Sequence, residues 1–244
     1  MGELWGICSD IHGNWEALQA VNRDMKRRGV TRRLCLGDVI GYGADPDLCL
    51  EEIMAGEWIT LMGNHDQALL EPEILETFND SAVAGVFWAM GKVSPTSILQ
   101  MSEWPHVLLA NSFQCVHASM YHPMEWGYII HEDDALQHFS EQTKSLCFCG
   151  HTHVPMVWSL NHTLSSKKPS NRRFRVHANR LTLVNVGSVG QPRDGDCRAS
   201  YVLFDSDKMT IQFRRVSYAI SRAQSKIISA GLPKRLATRL TFGK

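Results

Sequence analysis

Short apolar runs that end in a polar turn occur three times within the first 66 residues. The runs cover residues 4–9, 33–36 and 58–62, and apolar positions at helical spacing follow the first two. A run of this length predicts a buried strand, and the spacing after it predicts an amphipathic helix. Repetition of strand, turn and helix favours a parallel sheet with helices packed on its faces.

The chain changes character over residues 67–104, where the periodicity is helical and no convincing strand occurs. We expect a helical insertion there, beside the site. Two amphipathic segments, 217–229 and 233–240, predict further helices, and the polar segment 161–172 predicts a mobile loop. The remaining short apolar runs predict strands at 107–110, 113–116, 145–149, 154–159, 173–177, 181–186, 200–204 and 210–214.

The chain is expected to form one α/β domain over residues 1–244, because it has no internal repeat and no long linker. Hydrophobic residues make up 44% and charged residues 20%, which is typical of globular proteins and excludes disordered or collagen-like chains. No apolar stretch approaches the roughly 18 residues of a membrane helix, and residues 1–6 lack a basic leader region. We therefore expect a cytoplasmic protein without a membrane partner.

The net charge is zero, but the charges are unevenly distributed along the chain. Residues 1–141 carry an excess of Asp and Glu, whereas residues 142–244 carry an equal excess of Lys and Arg. A basic C-terminal part could bind nucleic acid, yet opposite charges on two parts of one fold more often let those parts pack together. The charge distribution alone does not decide between these interpretations.

Candidate metal ligands lie in the polar turns, where the strands of a parallel sheet end and ligands commonly bind. Carboxylate, imidazole and amide ligands together suit Mn²⁺, Fe or Zn²⁺ rather than Ca²⁺. One aspartate can bridge two ions about 3.5–4 Å apart and hold a hydroxide suited to attack on phosphorus. The turns with such side chains are Asp10-x-His12, Gly37-Asp38, Gly63-Asn64-His65-Asp66, His117 and Gly150-His151-x-His153.

These turns resemble, in order and spacing, the five motifs of the calcineurin-like metallophosphoesterase superfamily. The gaps between His12 and Gly37 and between Asp38 and Gly63 are both 24 residues. A looser similarity over residues 185–192 is typical of the small prokaryotic phosphodiesterases and phosphatases of that superfamily. The resemblance implies a four-layer αββα sandwich with the helical insertion beside the site.

The resemblance also implies a role for each motif residue and two bound divalent ions, of Mn, Fe, Zn or Ni. Asp38 would bridge the ions and a bridging hydroxide would be the nucleophile. His65 would approach the leaving group, as a general acid or by stabilising the charge on the departing oxygen. The first ion would be held by Asp10, His12, Asp38 and His153, and Asn64, His117 and His151 would complete the second site.

Some neighbouring residues have two interpretations. Asp66 is either a helix N-cap or a carboxylate that orients His65. Arg193 either contacts a phosphate in a bidentate manner or forms a surface salt bridge with Asp194 or Asp196. The loop after His117 lies close to a metal ligand, and its large side chains either form a stacking or apolar wall for the substrate or serve only in packing. These side chains are Met120, Tyr121, Trp126 and Tyr128.

The motifs narrow the substrate class. Protein phosphatases of the superfamily extend the second motif as GDxxDRG and the third as GNHExR, whereas residues 37–43 and 63–68 lack that Asp and Arg. We expect a phosphoesterase for a small, nucleotide-like phosphodiester or phosphomonoester. The alternatives are a non-catalytic interaction module and a nuclease that binds nucleic acid through the basic segments 167–180 and 208–244. The sequence leaves the oligomeric state open.

Overall fold

The computed structural model describes residues 3–169 and 173–244. The strands of these residues are β1 Leu4–Cys8, β2 Arg32–Cys35, β3 Ile59–Thr60, β4 Val107–Leu109, β5 Gln114–Val116, β6 Leu146–Cys149, β7 Met156–Leu160, β8 Leu164–Lys167, β9 Phe174–Arg175, β10 Leu181–Asn185, β11 Ala199–Asp205 and β12 Thr210–Val216. The helices are α1 Trp15–Arg27, α2 Pro46–Ala55, α3 Asn64–Gln67, α4 Asp80–Met90, α5 Pro95–Met101, α6 Glu132–Glu141, α7 Ile220–Ser229 and α8 Lys234–Phe242.

Two six-stranded sheets form the centre of the described structure. The first has the order β3-β2-β1-β11-β12-β9, and the second has the order β4-β5-β6-β10-β7-β8. Strands β1, β2 and β3 are parallel, as their repeated pattern predicts, but β11 and β12 continue the sheet antiparallel. In the second sheet, β5, β6 and β10 are parallel and β4, β7 and β8 are antiparallel to their neighbours. Both sheets are therefore mixed.

An aromatic cluster fills the space between the two sheets. Phe113, the residue before β5 of the second sheet, lies 5.2 Å from Trp5 and 5.4 Å from Phe204, both of the first sheet, measured between ring centroids. Helix α1 covers the outer face of the first sheet with Leu18 and its apolar neighbours, and Phe139 of α6 packs against the outer face of the second. The layers are thus helix, sheet, sheet and helix, which confirms the expected αββα sandwich.

Ion pairs join the acidic part of the chain to the basic part. Glu16 of α1 is buried and lies 2.8 Å from Lys226 Nζ of α7, which also lies 2.6 Å from Asp45 Oδ2. Asp24 of α1 accepts a hydrogen bond from Tyr201 Oη at 2.8 Å and lies 3.4 Å from Arg214 Nε of β12. These contacts agree with the interpretation of the charge distribution as a packing device.

Strand β8 and helix α6 were not predicted from the sequence. Strand β8 lies within the segment 161–172, which was expected to be a mobile loop, and that expectation is wrong over Leu164–Lys167; residues 170–172 lie outside the described residues. The strand is exposed at the edge of its sheet, so no apolar alternation marks it. Helix α6 was not predicted, because its first turn is acidic and only Ala135, His138 and Phe139 are buried.

The segment 67–104 is helical, as predicted, and contains α4, α5 and a 3₁₀ turn over Pro72–Thr77. Among residues 3–169 and 173–244, no helix has both the length and the apolar character needed to cross a bilayer. Helices α7 and α8 pack on Tyr42 and Ala82, so the C-terminal segment covers the loop between β2 and α2.

Candidate metal centre

The polar turns that follow the strands of both sheets meet at one place. Asp10 and His12 follow β1, Asp38 follows β2, and Asn64 begins α3 after β3. His117 follows β5, and His151 and His153 follow β6. All seven side chains expected to bind metal are buried there, the most exposed of them, Asn64, having 7% relative accessibility. Residues from two different sheets thus form a single cluster.

The Asp38 carboxylate lies between two groups of side chains. Its Oδ2 is 3.6 Å from His12 Nε2 and 3.4 Å from His117 Nε2. On the side of His12, Nε2 of His153 lies 3.3 Å from Asp10 Oδ1. The groups whose ligand atoms lie within 4.8 Å of one another are Asp10 with His12 and His153, His12 with Asp38 and His65, and Asp38 with His117 and His151.

Backbone carbonyls set the orientation of three imidazoles. Nδ1 of His12 lies 3.0 Å from the Ile40 carbonyl oxygen. Nδ1 of His117 lies 2.9 Å from the Leu36 carbonyl oxygen, and Nδ1 of His153 lies 2.7 Å from that of Gln191. A carbonyl only accepts hydrogen bonds, so each Nδ1 donates a proton and each Nε2, when it carries no proton, presents a lone pair to the cluster. Nε2 of His12 and Nε2 of His153 are 3.1 Å apart. Two lone pairs at that distance are stabilised by a cation that both can bind.

Two further atoms indicate where a cation would bind. Asn64 Oδ1 and His151 Nε2 are buried and have no hydrogen-bond partner among the described residues. A buried polar atom without a partner costs about 1–3 kcal/mol. Imidazole nitrogens with carboxylate and amide oxygens are a donor set for divalent transition metals. The residues therefore fit the divalent ions that the motifs imply.

Electrostatics of the cluster favour a cation. Burial raises the pKa of Asp38, but the positive potential of His117 and His65 outweighs it and holds that pKa well below its usual range. Burial lowers the pKa of His117, whereas the negative charges of Asp38 and Asp10 raise it, to about 9. Burial lowers the pKa of His151 to about 3. Two ionised carboxylates thus attract positive charge, and a proton on His117 competes with a metal for the same pair of electrons.

The backbone of the ligand turns is strained. Five non-glycine residues of the cluster have left-handed φ values between 49° and 66°: Asp10, His12, Asp38, His151 and His153. This conformation costs an L-residue roughly 1–2 kcal/mol. Close approach also requires Gly150, since a Cβ there would lie 2.0 Å from Ser9 Oγ and 2.6 Å from Asp10 Oδ2. Strain of this kind concentrates at functional sites.

Asp66 stabilises the second turn through the backbone. Its carboxylate accepts hydrogen bonds from the amides of Asp38 at 2.7 Å, Val39 at 3.0 Å and Ile40 at 3.1 Å. It also accepts a longer bond from the amide of Gly63, at 3.2 Å. Asp66 is therefore not the N-cap of α3, which is Gly63, but it caps that helix from its third position through the Gly63 amide. Its other three bonds hold the turn after β2, and none of the four goes to the His65 ring.

Sequence reasoning missed two supporting residues in the segment 185–192. Asn185 Nδ2 donates to the Gly150 carbonyl and, at 3.0 Å, to Thr152 Oγ1, so it fixes the turn that contains His151 and His153. Ser188 Oγ donates to the Asp10 carbonyl at 2.8 Å. The looser family resemblance of this segment was the available signal, but it did not indicate which bonds these side chains make.

A cavity of about 450 Å³ opens beside the cluster. Its lining includes Asn64, His65, Trp126, Tyr128 and His151. The His65 ring is held between Tyr42 and Phe78, at centroid distances of 4.6 Å and 4.7 Å, and its amide donates to Asp38 Oδ1 at 2.9 Å. Tyr42 and Phe78 were not among the residues expected at the site, whereas Tyr128 belongs to the loop that was expected to lie close to a metal ligand.

Of Tyr121, Trp126 and Arg193, the three residues expected to contact the substrate, only Trp126 lines this cavity. Tyr121 does not line it and packs edge-to-face against His122, with the ring centroids 4.2 Å apart. Arg193 donates to Gln191 Oε1 at 2.9 Å, and its guanidinium lies 5.7 Å from the Tyr42 ring centroid. The salt bridge considered for Arg193 does not form in the structure, because Asp194 pairs with Arg215, and Asp196 pairs with Arg198 and Arg215.

Comparison with known proteins agrees with the motifs. The model of the calcineurin-like phosphoesterase superfamily domain matches residues 4–209. The chain is 35% identical, over 98% of its length and 97% of the relative's, to an uncharacterized protein of Methanocaldococcus jannaschii. It is similar to the crystal structure of a metallophosphoesterase from Sphaerobacter thermophilus, with 33% identity, a TM-score of 0.88 and 100% of both chains covered. The chain therefore belongs to the calcineurin-like phosphoesterase superfamily.

The fold extends to a more distant structure. A hypothetical protein from Pyrococcus horikoshii is 18% identical, with a TM-score of 0.76 over 99% of this chain and 98% of that one. At this identity the similarity concerns the fold alone. Membership of the superfamily together with the clustered His and Asp side chains supports a metal-binding phosphoesterase.

Proposed function

We propose that the protein hydrolyses the phosphoester bond of a small, nucleotide-like substrate with two divalent metal ions. The observation that carries the proposal is the position of the Asp38 carboxylate, with Oδ2 between His12 Nε2 at 3.6 Å and His117 Nε2 at 3.4 Å. A carboxylate in this place can contact a cation on either side. We also propose that residues 1–244 form one domain.

Each ion would have its own set of protein ligands. Asp10, His12 and His153 would hold the first ion with Asp38, and Asn64, His117 and His151 would hold the second with the same Asp38. Bound divalent ions supply Lewis acidity, which polarises phosphoryl oxygens and lowers the pKa of water. The buried Asn64 Oδ1 and His151 Nε2, which have no hydrogen-bond partner among the described residues, support the second set.

The chain itself would position the substrate and stabilise the leaving group. The His65 ring borders the cavity and is fixed by Tyr42 and Phe78, so it can present a hydrogen bond to the departing oxygen. Arg193 has no carboxylate partner among the described residues, and its guanidinium lies over the ring of Tyr42. Its guanidinium would donate to a charged phosphoryl oxygen.

The experiment is reconstitution of metal-stripped protein with Mn²⁺, Fe²⁺, Zn²⁺, Ni²⁺ or Mg²⁺. Hydrolysis of p-nitrophenyl phosphate and bis-p-nitrophenyl phosphate is followed for each ion, and bound metal is counted by elemental analysis. We expect metal-dependent turnover with two ions per chain, and loss of turnover in Asp38→Ala. Turnover that is unaffected by chelator, or by Asp38→Ala, contradicts the proposal.

A further inference from the structure

A second cavity, of about 280 Å³, adjoins the first at Tyr128. Its walls are mainly apolar and include Ile130, Val154, Met156 and Trp158. Tyr128 lines both cavities, and its ring lies 4.0 Å from that of His151, measured between centroids. Tyr128 therefore borders both cavities and packs against a candidate metal ligand, and His151 lines the first cavity while Thr152 lines the second.

A cationic residue borders the second cavity near the candidate metal centre. Arg193 lines it, donates its backbone amide to the His153 carbonyl at 3.2 Å and is oriented by Gln191. The guanidinium stands over Tyr42, whose ring lies 4.6 Å from that of His12. An anion at the metal centre can thus lie within reach of Arg193 while an attached apolar group enters the cavity.

We propose that the enzyme is selective for phosphodiesters and that the cavity lined by Ile130 and Trp158 holds the second ester group, which is apolar or aromatic. A monoester has one organic group and needs one cavity, whereas a diester has two, one for each side of Tyr128. A cavity of about 150 Å³ accommodates benzene, so 280 Å³ has room for an aromatic ring.

Charge agrees with this assignment. A phosphodiester carries a single negative charge, which suits one guanidinium, and its ester groups suit apolar walls. Hydrolysis adds water across one P–O bond and gives a monoester and an alcohol, and the departing oxygen takes up a proton from water. The inference rests on the proposed phosphoesterase activity and specifies its substrate class.

The test compares kcat/KM for bis-p-nitrophenyl phosphate with that for p-nitrophenyl phosphate in the metal-loaded enzyme. We expect the wild-type protein to prefer the diester. Ile130→Asp places a charge in the apolar cavity and should lower kcat/KM for the diester roughly tenfold, with the monoester nearly unchanged. Ile130 is 57% exposed, so the substitution does not disturb the core. Ile130→Trp fills the same space and should act in the same direction.

A matched control is Leu109→Asp, the same chemical change at a 63% exposed residue of β4 that lines neither cavity. It should leave the diester-to-monoester ratio as in wild type. Equal loss of both activities in Ile130→Asp, or an unchanged ratio in both Ile130 variants, overturns the inference while the phosphoesterase proposal remains.

Binding provides a second readout that does not depend on turnover. Diphenylphosphinate and phenylphosphonate, which have no ester bond to hydrolyse, and inorganic phosphate are titrated calorimetrically into the metal-loaded protein. We expect diphenylphosphinate to bind most tightly and to lose this advantage in Ile130→Asp. Absence of turnover with either ester contradicts the proposed function, and equal affinity for the three anions contradicts the second cavity as a subsite.

Discussion

The floor and the rim of the site are built differently. The floor consists of the turns with the candidate metal ligands, at residues 10–13, 37–39, 63–66, 117 and 150–153, and the rim is the loop 121–131. Apart from the half-buried Thr152, the residues of the floor are buried, and Asp66, Asn185 and Ser188 hold the turns by hydrogen bonds. In the rim, Met124, Tyr128 and Ile130 are between 50% and 59% exposed.

We infer from this difference that the floor carries out the reaction and that the rim determines which substrate is preferred. A reaction that depends on the relative positions of several ligands requires a rigid constellation with supporting hydrogen bonds. Recognition of an organic group depends on shape and apolar contact, which an exposed loop can provide and vary without disturbing the scaffold. Substitutions in the floor should therefore abolish turnover with any ester, whereas substitutions in the rim should change which ester is preferred.

The largest effect is expected from His117→Ala, which removes a ligand from the floor. Loss of a supporting partner of a metal ligand already costs roughly 10–100-fold, so loss of the ligand itself should exceed that. Both kcat for the monoester and kcat for the diester should fall. The neighbouring His106→Ala, at a half-buried residue outside the cluster, is the control. Full activity of His117→Ala would contradict its place in the metal centre.

A smaller effect is expected from Asn185→Ala, which removes the hydrogen bonds to the Gly150 carbonyl and to Thr152 while leaving every ligand in place. Metal affinity should fall by about 10–100-fold, because the turn with His151 and His153 is no longer fixed. The measurement is a competitive chelator titration. Excess metal should restore much of the activity, and failure of any metal concentration to do so would argue against a positioning role.

Arg193 connects floor and rim, and its replacement should affect binding more than turnover. A hydrogen bond to a charged group contributes about 1.5–3 kcal/mol, so Arg193→Met should raise KM on the order of tenfold or more. The kcat value should change less than KM. Steady-state kinetics of Arg193→Met and Arg193→Lys test this, and Lys should restore only part of the affinity, because its ammonium cannot bind in a bidentate manner. A fall in kcat with unchanged KM would contradict the assignment.

The smallest effect on activity is expected far from both regions, at Asp24. Burial raises the pKa of this carboxyl, but the Tyr201 hydroxyl and the Arg214 charge outweigh burial and leave the pKa lowered. Its contribution to stability is therefore complete above the unfolded-state pKa and is lost as the pH falls through the folded-state value. Asp24→Asn should lower the free energy of unfolding by about 1–3 kcal/mol at pH 7.

The difference in the free energy of unfolding between Asp24→Asn and wild type should become smaller as the pH falls below about 4. Urea denaturation at several pH values measures it, with the exposed Asp207→Asn as the control. Activity at pH 7 and at temperatures well below the midpoint should equal that of wild type. A stability difference that is independent of pH would contradict the ionised form of Asp24 as the stabilising species.

The sequence predicted the floor better than the rim for a physical reason. Strands end where apolar runs end, so the spacing placed Asp10, Asp38 and His151 directly after strands. The resemblance to the family motifs then grouped these residues, although they follow strands of two different sheets. The position of Tyr128 depends on how the loop 121–131 folds over His151, and no periodicity encodes that path. Trp126 has a left-handed φ of 57°, a conformation that its residue type does not indicate.

Other unpredicted features come from long-range contacts. Asp66 looks like a local helix residue in the sequence, yet three of its four backbone donors belong to the turn around Asp38. The antiparallel addition of β11 to β1 also leaves no trace in the first 66 residues. That the clustered side chains bind metal remains a prediction, which reconstitution tests.

The position of β1 in its sheet has a consequence for synthesis of the protein. This strand lies between β2 and β11, and its register pairs Leu4 with Asp205. Translation proceeds at about 5–20 residues per second, so β1 waits roughly 10–40 s after leaving the ribosome before its second neighbour exists. During that interval one edge of β1 is open to chaperones or to other nascent chains. The turn with Asp10 and His12 follows β1, so the candidate metal centre is complete only after residues far along the chain, including His153, have been made.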